Sequence, residues 1–200
     1  MSGQLYVISG PSGVGKSTII QRLRERIEDL GYSISHTSRR PRRNETDGVD
    51  YYFVTEEIFR GMIEEGAFVE WAEVYHDLYG TSSSGLLAQL EAGRDVVLDL
   101  DHQGGRRIKE QFDAGILIYL LPPSLDSLEA RLRGRATDDE EVIKTRIDRA
   151  FQDLKNCISY DYLIINDEPD QAVSKVEAII TSERHRRTRM LPKVQKMLGL

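Results

Sequence analysis

Leu5-Tyr6-Val7-Ile8-Ser9-Gly10-Pro11-Ser12-Gly13-Val14-Gly15-Lys16-Ser17-Thr18 is the stretch that decides the architecture. Leu5 to Ile8 is a short, wholly apolar run of the kind that forms a strand buried on both faces. Gly10 to Ser17 fits G-x-x-x-x-G-K-S. Behind it Ile19, Ile20, Leu23 and Ile27 recur at helical spacing among Arg22, Arg24, Glu25 and Arg26. A glycine-rich turn between strand and helix lets successive backbone N–H groups close around phosphate oxygens, and the helix starting near Lys16 aims the positive end of its dipole at the same point. In that arrangement Lys16 reaches the β- and γ-phosphates of a nucleotide and the Ser17 hydroxyl ligates Mg²⁺.

The rest of the composition leaves room for one such unit. The chain has 200 residues, 40% hydrophobic and 30% charged, which suffices for a single domain with a proper core. Its longest apolar run, Ile116 to Leu121, is too short to span a membrane, and no basic segment precedes an apolar one at the N-terminus. Cys157 is the sole cysteine, so no intrachain disulfide exists, a usage that suits a reducing cytoplasm; a small core-facing residue on a helix is its expected role. His36, His76, His102 and His185 lack metal-ligand spacing, so no structural zinc is expected. The last 17 residues, from Arg184 onward, hold six basic side chains and no acidic one, in a chain of net charge −6, so the body before them carries −12. Such a body is a poor general nucleic-acid binder, and the basic tail reads as a solvated helix end.

Apolar runs alternate with amphipathic ones, which signals a parallel sheet covered by helices. Expected strands are Leu5–Ser9, Ser33–Ser35, Val96–Leu100, Gly115–Leu121 and Tyr162–Ile165. Expected helices are Lys16–Leu30, Gly85–Glu91, Gln103–Phe112, Leu125–Arg133, Asp139–Asn156 and Gln171–Arg187. Pro122-Pro123 stops a strand, and Ser124 then caps a helix. Residues 36–84 break the alternation with Tyr51–Val54, a short helix Glu56–Glu65, Phe68–Trp71 and Tyr79–Thr81, and read as a small α+β insertion.

Within that insertion Arg39, Arg40, Arg42 and Arg43 place four guanidinium groups in five residues. Their forks match phosphate oxygens, although a solvated basic loop has the same composition. Aromatic residues and Glu70 in the same segment favour the anion-binding alternative, since a mononucleotide needs a phosphate grip and a base pocket together.

The ordered set of motifs resembles the guanylate kinase family. Beyond the loop these are Ser35-x-x-x-Arg39-x-x-Arg42, Asp47-Gly-x-Asp-Tyr51-x-Phe53, Phe68-x-Glu70-Trp-Ala, Tyr79-Gly-Thr81, Asp99-x-Asp101-x-Gln-Gly104, Leu121-Pro-Pro-Ser124 and Asn166-Asp167, covering about residues 3–182. The resemblance implies an α/β, P-loop NTPase-like parallel sheet flanked by helices: a core of 3–35 and 85–182, a GMP-binding insertion of about 36–84, a helical lid of about 131–146, and a basic tail, 183–200. It implies transfer of the γ-phosphoryl group of ATP to GMP, and to dGMP, with Mg²⁺. ATP would meet Gly10, Pro11, Ser12, Gly13, Val14, Gly15, Lys16, Ser17 and Thr18, the lid-region arginines Arg131 and Arg135, and Asn166 beside the adenine. GMP would meet Ser35, Arg39, Arg42, Tyr51 and Tyr79 through its phosphate, Glu70, Thr81 and Asp101 through guanine, and Arg146 from the lid. Lys16, Arg39, Arg135 and Arg146 would carry the catalytic charge, with Ser17 and Asp99 on the metal side. No nucleic-acid or membrane partner is expected, a homo-oligomer is open, and the expected location is cytoplasmic.

Three positions depart from the family pattern. Asn44 stands where glycine is usual, His76-Asp77-Leu78 replaces a more typical Gly-Asn-Tyr, and Ala136 replaces a frequent lid glycine.

The residues agree with this chemistry. Guanine N1–H and its exocyclic amino group both donate, and one carboxylate such as Glu70 accepts both; adenine N1 would set acceptor against acceptor. The acceptor phosphate is largely dianionic at neutral pH, so no general base is needed, and catalysis reduces to holding two polyanions in line. Two alternatives differ in class: a catalytically inactive guanylate-kinase-like protein-binding module, in which the phosphate loop is generally degraded, and a related sugar-phosphate kinase, for which a base pocket has no use.

Overall fold

The computed structural model describes residues 3–43, 45–74, 76–112, 115–134 and 140–199, with backbone alone for 140–143 and 146. The apolar runs pair first. β1 (Leu5–Ser9) lies between β7 (Val96–Asp99) and β8 (Ile116–Leu121), while β2 (Gly31–Tyr32) and β9 (Tyr162–Ile165) flank them in a parallel sheet ordered β2-β7-β1-β8-β9. Tyr6, Val7 and Ile8 are fully buried, as the continuous apolar pattern requires. One face packs on α1 (Lys16–Arg26) and α7 (Pro169–Arg184) through Ile19, Leu23, Val173 and Val176. The other packs Leu86 of α3 (Ser83–Glu91) and Ile108 of α4 (His102–Gln111) against Val7 and Leu98. α5 (Leu125–Arg133), capped by Ser124, and α6 (Glu140–Leu154) form a smaller cluster around Leu128, Leu132 and Ile147.

A second, four-stranded sheet, ordered β4-β3-β6-β5, comes from β3 (His36–Thr37), β4 (Tyr52–Phe53), β5 (Phe68–Val74) and β6 (Asp77–Ser82), with α2 (Glu56–Glu64) inserted between β4 and β5. Thr55 caps α2, accepting from Ile58 N. At the β5–β6 hairpin His76 takes a left-handed φ of 70°, at one of the positions where the sequence departs from a more usual glycine.

Several boundaries differ from the sequence expectation for non-local reasons. The second strand is Gly31–Tyr32 rather than Ser33–Ser35, because its register is set by pairing with Val96 and Val97 of β7. α1 ends at Arg26, not Leu30: Ile27 is extended and Asp29 adopts φ 63°. The last helix breaks after Arg184, since Arg186 is extended in ψ, and α8 (Arg187–Leu198) follows with Pro192 inside it. Cys157 is half-buried in a 3-10 turn, Lys155–Ser159, rather than core-facing on an α-helix.

The basic tail is not simply solvated. Asp95, buried at the start of β7, accepts from Arg184 Nε at 2.7 Å, Arg189 Nη2 at 2.8 Å and the Gln4 backbone N–H at 2.8 Å. Burial alone would push the Asp95 carboxyl up; these bonds carry it below its ordinary range.

Candidate active site

The phosphate loop leaves β1 at its C-terminal end, where ligands of open α/β sheets bind. Gly10, Gly13 and Gly15 have φ of 150°, 85° and 101°, backbone that glycine alone adopts without strain. A Cβ at Gly10 would lie 2.6 Å from the Leu120 carbonyl oxygen, so this glycine also permits a close approach to β8. Lys16 opens α1. Its Nζ donates to Gly10 O at 3.0 Å and stands 3.9 Å from Asp99 Oδ1 at the end of the neighbouring strand. Burial pushes the Asp99 carboxyl up, and the Lys16 charge opposes that rise.

Asn166 and Arg131 brace this loop from behind. Asn166 Nδ2 donates to Val14 O at 2.7 Å, and Arg131 donates to Val14 O and Asn166 O. Asn166, expected beside adenine, is buried and bonds the loop backbone through Nδ2, and Arg131, expected on ATP phosphates, bonds one loop carbonyl and the carbonyl of Asn166. Arg135 lies outside the described residues, as does the side chain of Arg146.

The insertion supplies the opposite wall. Arg39 donates through Nε to Tyr79 Oη at 3.2 Å and grips Glu45 with both Nη atoms at 2.9 Å; its guanidinium also lies over the ring of Tyr51. Tyr51 and Tyr79 meet edge to face at 5.8 Å. Arg42 is more exposed, 3.7 Å from Glu45. Glu45 carried no role in the sequence, since no motif singled it out.

Glu70 is aimed by a bulge. The β5–β6 register shifts between Phe68 and Glu70, so the adjacent Val69 and Glu70 are both buried where strict alternation would expose one. Across the ladder Thr81 Oγ1 donates to Glu70 Oε1 at 2.6 Å. Burial pushes the Glu70 carboxyl up to about 7, against the Thr81 hydrogen bond. Thr81, expected on guanine, is fully buried beside the cavity wall and holds Glu70. Asp101, another guanine candidate, accepts from Gly104 N at 2.8 Å and caps α4.

These walls enclose one cavity of about 300 Å³ that brings together Gly10–Gly13 and Gly15–Thr18 of the loop with Ser35, Arg39, Arg42, Tyr51, Glu70, Tyr79, Asp99 and Asp101. Asp153 of α6 also lines it, 3.6 Å from His102, and carried no motif by which sequence could have singled it out. A larger hollow of about 770 Å³ lies between α4 and the 3-10 turn, but its cations are engaged: Arg106 with Glu110, Lys109 with Asp161, and Arg107 over Trp71.

The guanylate kinase family model matches residues 2–183. The chain belongs to the guanylate kinase family. It is 49% identical to a guanylate kinase of Caldanaerobacter subterraneus subsp. tengcongensis over 92% of this chain and 89% of that one, and 46% identical to that of Carboxydothermus hydrogenoformans over 91% and 89%. Its fold superposes on the crystal structure of guanylate kinase from Anaplasma phagocytophilum with a TM-score of 0.83 at 28% identity, covering 98% of this chain and 94% of that one. In this member of the family the phosphate loop and the second sheet line one shared cavity.

Proposed function

We propose that the protein transfers the γ-phosphoryl group of ATP to GMP or dGMP, giving ADP and the nucleoside diphosphate. One observation carries this reading: a single cavity has Lys16 and the phosphate loop on one wall and Arg39, Tyr51, Tyr79 and Glu70 on the other. Loop N–H groups and Lys16 hold the donor phosphates. Arg39, Arg42, Tyr51 and Tyr79 hold the acceptor phosphate, and Glu70 accepts from guanine N1–H and the exocyclic amino group.

The donor set also fits Mg²⁺. Among the described residues no three carboxylates or imidazoles cluster tightly enough to cage an ion. Ser17 and Asp99 instead line the cavity beside Lys16, which suits a cation bound chiefly by phosphate oxygens and water. Mg²⁺, when bound, neutralises the β- and γ-phosphate charge. The acceptor phosphate attacks as a dianion, so no side chain need remove a proton; Lys16 and the acceptor-side arginine keep the two polyanions in line. Among the described residues no helix is long and apolar enough to cross a membrane, and a half-buried lone cysteine suits the cytoplasmic setting of ATP chemistry.

A coupled assay of ADP release with GMP, dGMP, AMP and ribose 5-phosphate tests the reading. Strong turnover with the guanine nucleotides alone is expected. Folded protein releasing no ADP above background with saturating GMP and MgATP would overturn it, and preference for ribose phosphate would point to a sugar-phosphate kinase.

A further inference from the structure

Glu70 is held from two sides. Thr81 grips Oε1, as described above, and Gly104 in the first turn of α4 faces Oε2. A Cβ built on Gly104 would stand 2.8 Å from Glu70 Oε2, 3.3 Å from Glu70 Cδ and 3.3 Å from Leu100 Cβ. Contacts under about 3.0 Å are not tolerated, so an added methyl would chiefly force the carboxylate aside, with Leu100 giving by no more than a few tenths of an ångström. Asp101 fixes the position of that helical turn by capping it through Gly104 N. The same approach brings the positive end of the α4 dipole to a carboxylate that burial otherwise drives toward its neutral form.

We infer that Gly104 is a specificity-determining positioning residue, whose missing side chain lets the α4 N-terminus set the angle at which Glu70 presents its carboxylate to the base. The inference rests on the reading of Glu70 as the acceptor for guanine. Its logic is independent of backbone strain, because Gly104 is not among the glycines with positive φ. Alanine is the better helix former, so substitution should not cost helix stability. Gly85, near the start of α3, offers the matched control: its Cβ would meet nothing within 4 Å.

The test compares Gly104→Ala, Gly85→Ala, Glu70→Ala and the Glu70→Ala/Gly104→Ala double variant by thermal unfolding and by steady-state kinetics with GMP, AMP and MgATP. Gly104→Ala should fold and keep its KM for ATP, while kcat/KM for GMP falls about 10- to 100-fold, as small misplacements of a binding group do. Its GMP-over-AMP ratio should narrow, Gly85→Ala should match the parent, and Gly104→Ala should add nothing once Glu70 is alanine. If Glu70→Ala narrows the ratio and Gly104→Ala does not, the positioning role is wrong and the guanine reading stands. If Glu70→Ala leaves the ratio unaltered, the guanine reading itself fails. A Gly104→Ala protein that does not fold, or a loss that persists undiminished in the Glu70→Ala background, also overturns the inference, because the methyl would then be acting on the scaffold.

Discussion

Arg39 and Glu45 meet fork to fork, Nη1 on Oε2 and Nη2 on Oε1, both at 2.9 Å, while the Arg42 backbone N–H donates to the same carboxylate at 2.7 Å. Burial alone would raise the Glu45 carboxyl, but these donors hold it below the ordinary carboxylate range. An acid beside a phosphate site repels the phosphate, so its presence calls for a compensating gain. That gain is the fixed plane of Arg39, stacked over Tyr51 and turned toward Tyr79.

Glu45→Ala should therefore lower kcat/KM for GMP by about tenfold or more, with KM for ATP nearly unchanged, since charge-assisted bonds are worth roughly 1.5–3 kcal/mol each. Steady-state kinetics decides. A lower KM for GMP would mean that the carboxylate only repels and does not orient.

Lys16→Met removes the positive charge that the proposed reaction sets against the transferring phosphoryl group without opening the core, for Lys16 lies partly exposed at the head of α1. Turnover should drop by about 10³-fold or more while circular dichroism stays that of the parent. Near-normal kcat would remove Lys16 from the reaction.

Glu70 should make guanine recognition pH-dependent near neutrality. Its carboxyl lies at about 7, against 4.5 for an ordinary glutamate. As pH falls through 7 the acceptor is protonated, so KM for GMP should rise while KM for ATP does not follow. The sign for stability is opposite. A carboxyl raised on folding contributes stability fully present below pH 4.5 and lost as pH rises through 7. Glu70→Gln should thus be more stable than the parent at pH 8, by up to roughly 3 kcal/mol, with the difference gone near pH 4. Urea titrations at the two pH values measure it, and equal parent-to-variant differences at both would contradict the linkage.

The phosphate loop, the parallel strands and the helix cap at Ser124 were legible because each is written locally, in glycine spacing, apolar runs and a short capping signal. The roles of Lys16 and Ser17 were legible from the loop motif, whereas individual roles on the acceptor side came from the resemblance. What stayed hidden depends on contacts across the fold. The bulge that turns Glu70 inward exists only when β5 pairs with β6, and Asn166 shows its bond to Val14 O only once β9 lies beside β8. The resemblance gave Thr81 and Arg131 ligand contacts. In the fold both first satisfy protein groups, because a buried hydroxyl or guanidinium takes the nearest strong acceptor.

Two truncations separate the tail's parts. Ending the chain at Arg189 keeps both guanidinium groups on Asp95 and should leave kcat within about twofold. Ending it at Arg184 deletes Arg189 from a carboxylate with little exposure to water, and should lower stability by about 1–3 kcal/mol with kcat still near the parent. Denaturant midpoints and turnover on both proteins check this; a large fall in kcat in folded protein would refute it.

The short strand β7 begins beside Asp95 and ends at Asp99, so one four-residue rod bears the tail's anchor at one end and the donor-side acid at the other. The tail's grip and the cavity are thereby set at opposite ends of one strand. Selection, or a protein engineer, can tighten the grip of Arg184 and Arg189 to suit a hotter habitat without altering a residue that lines the cavity.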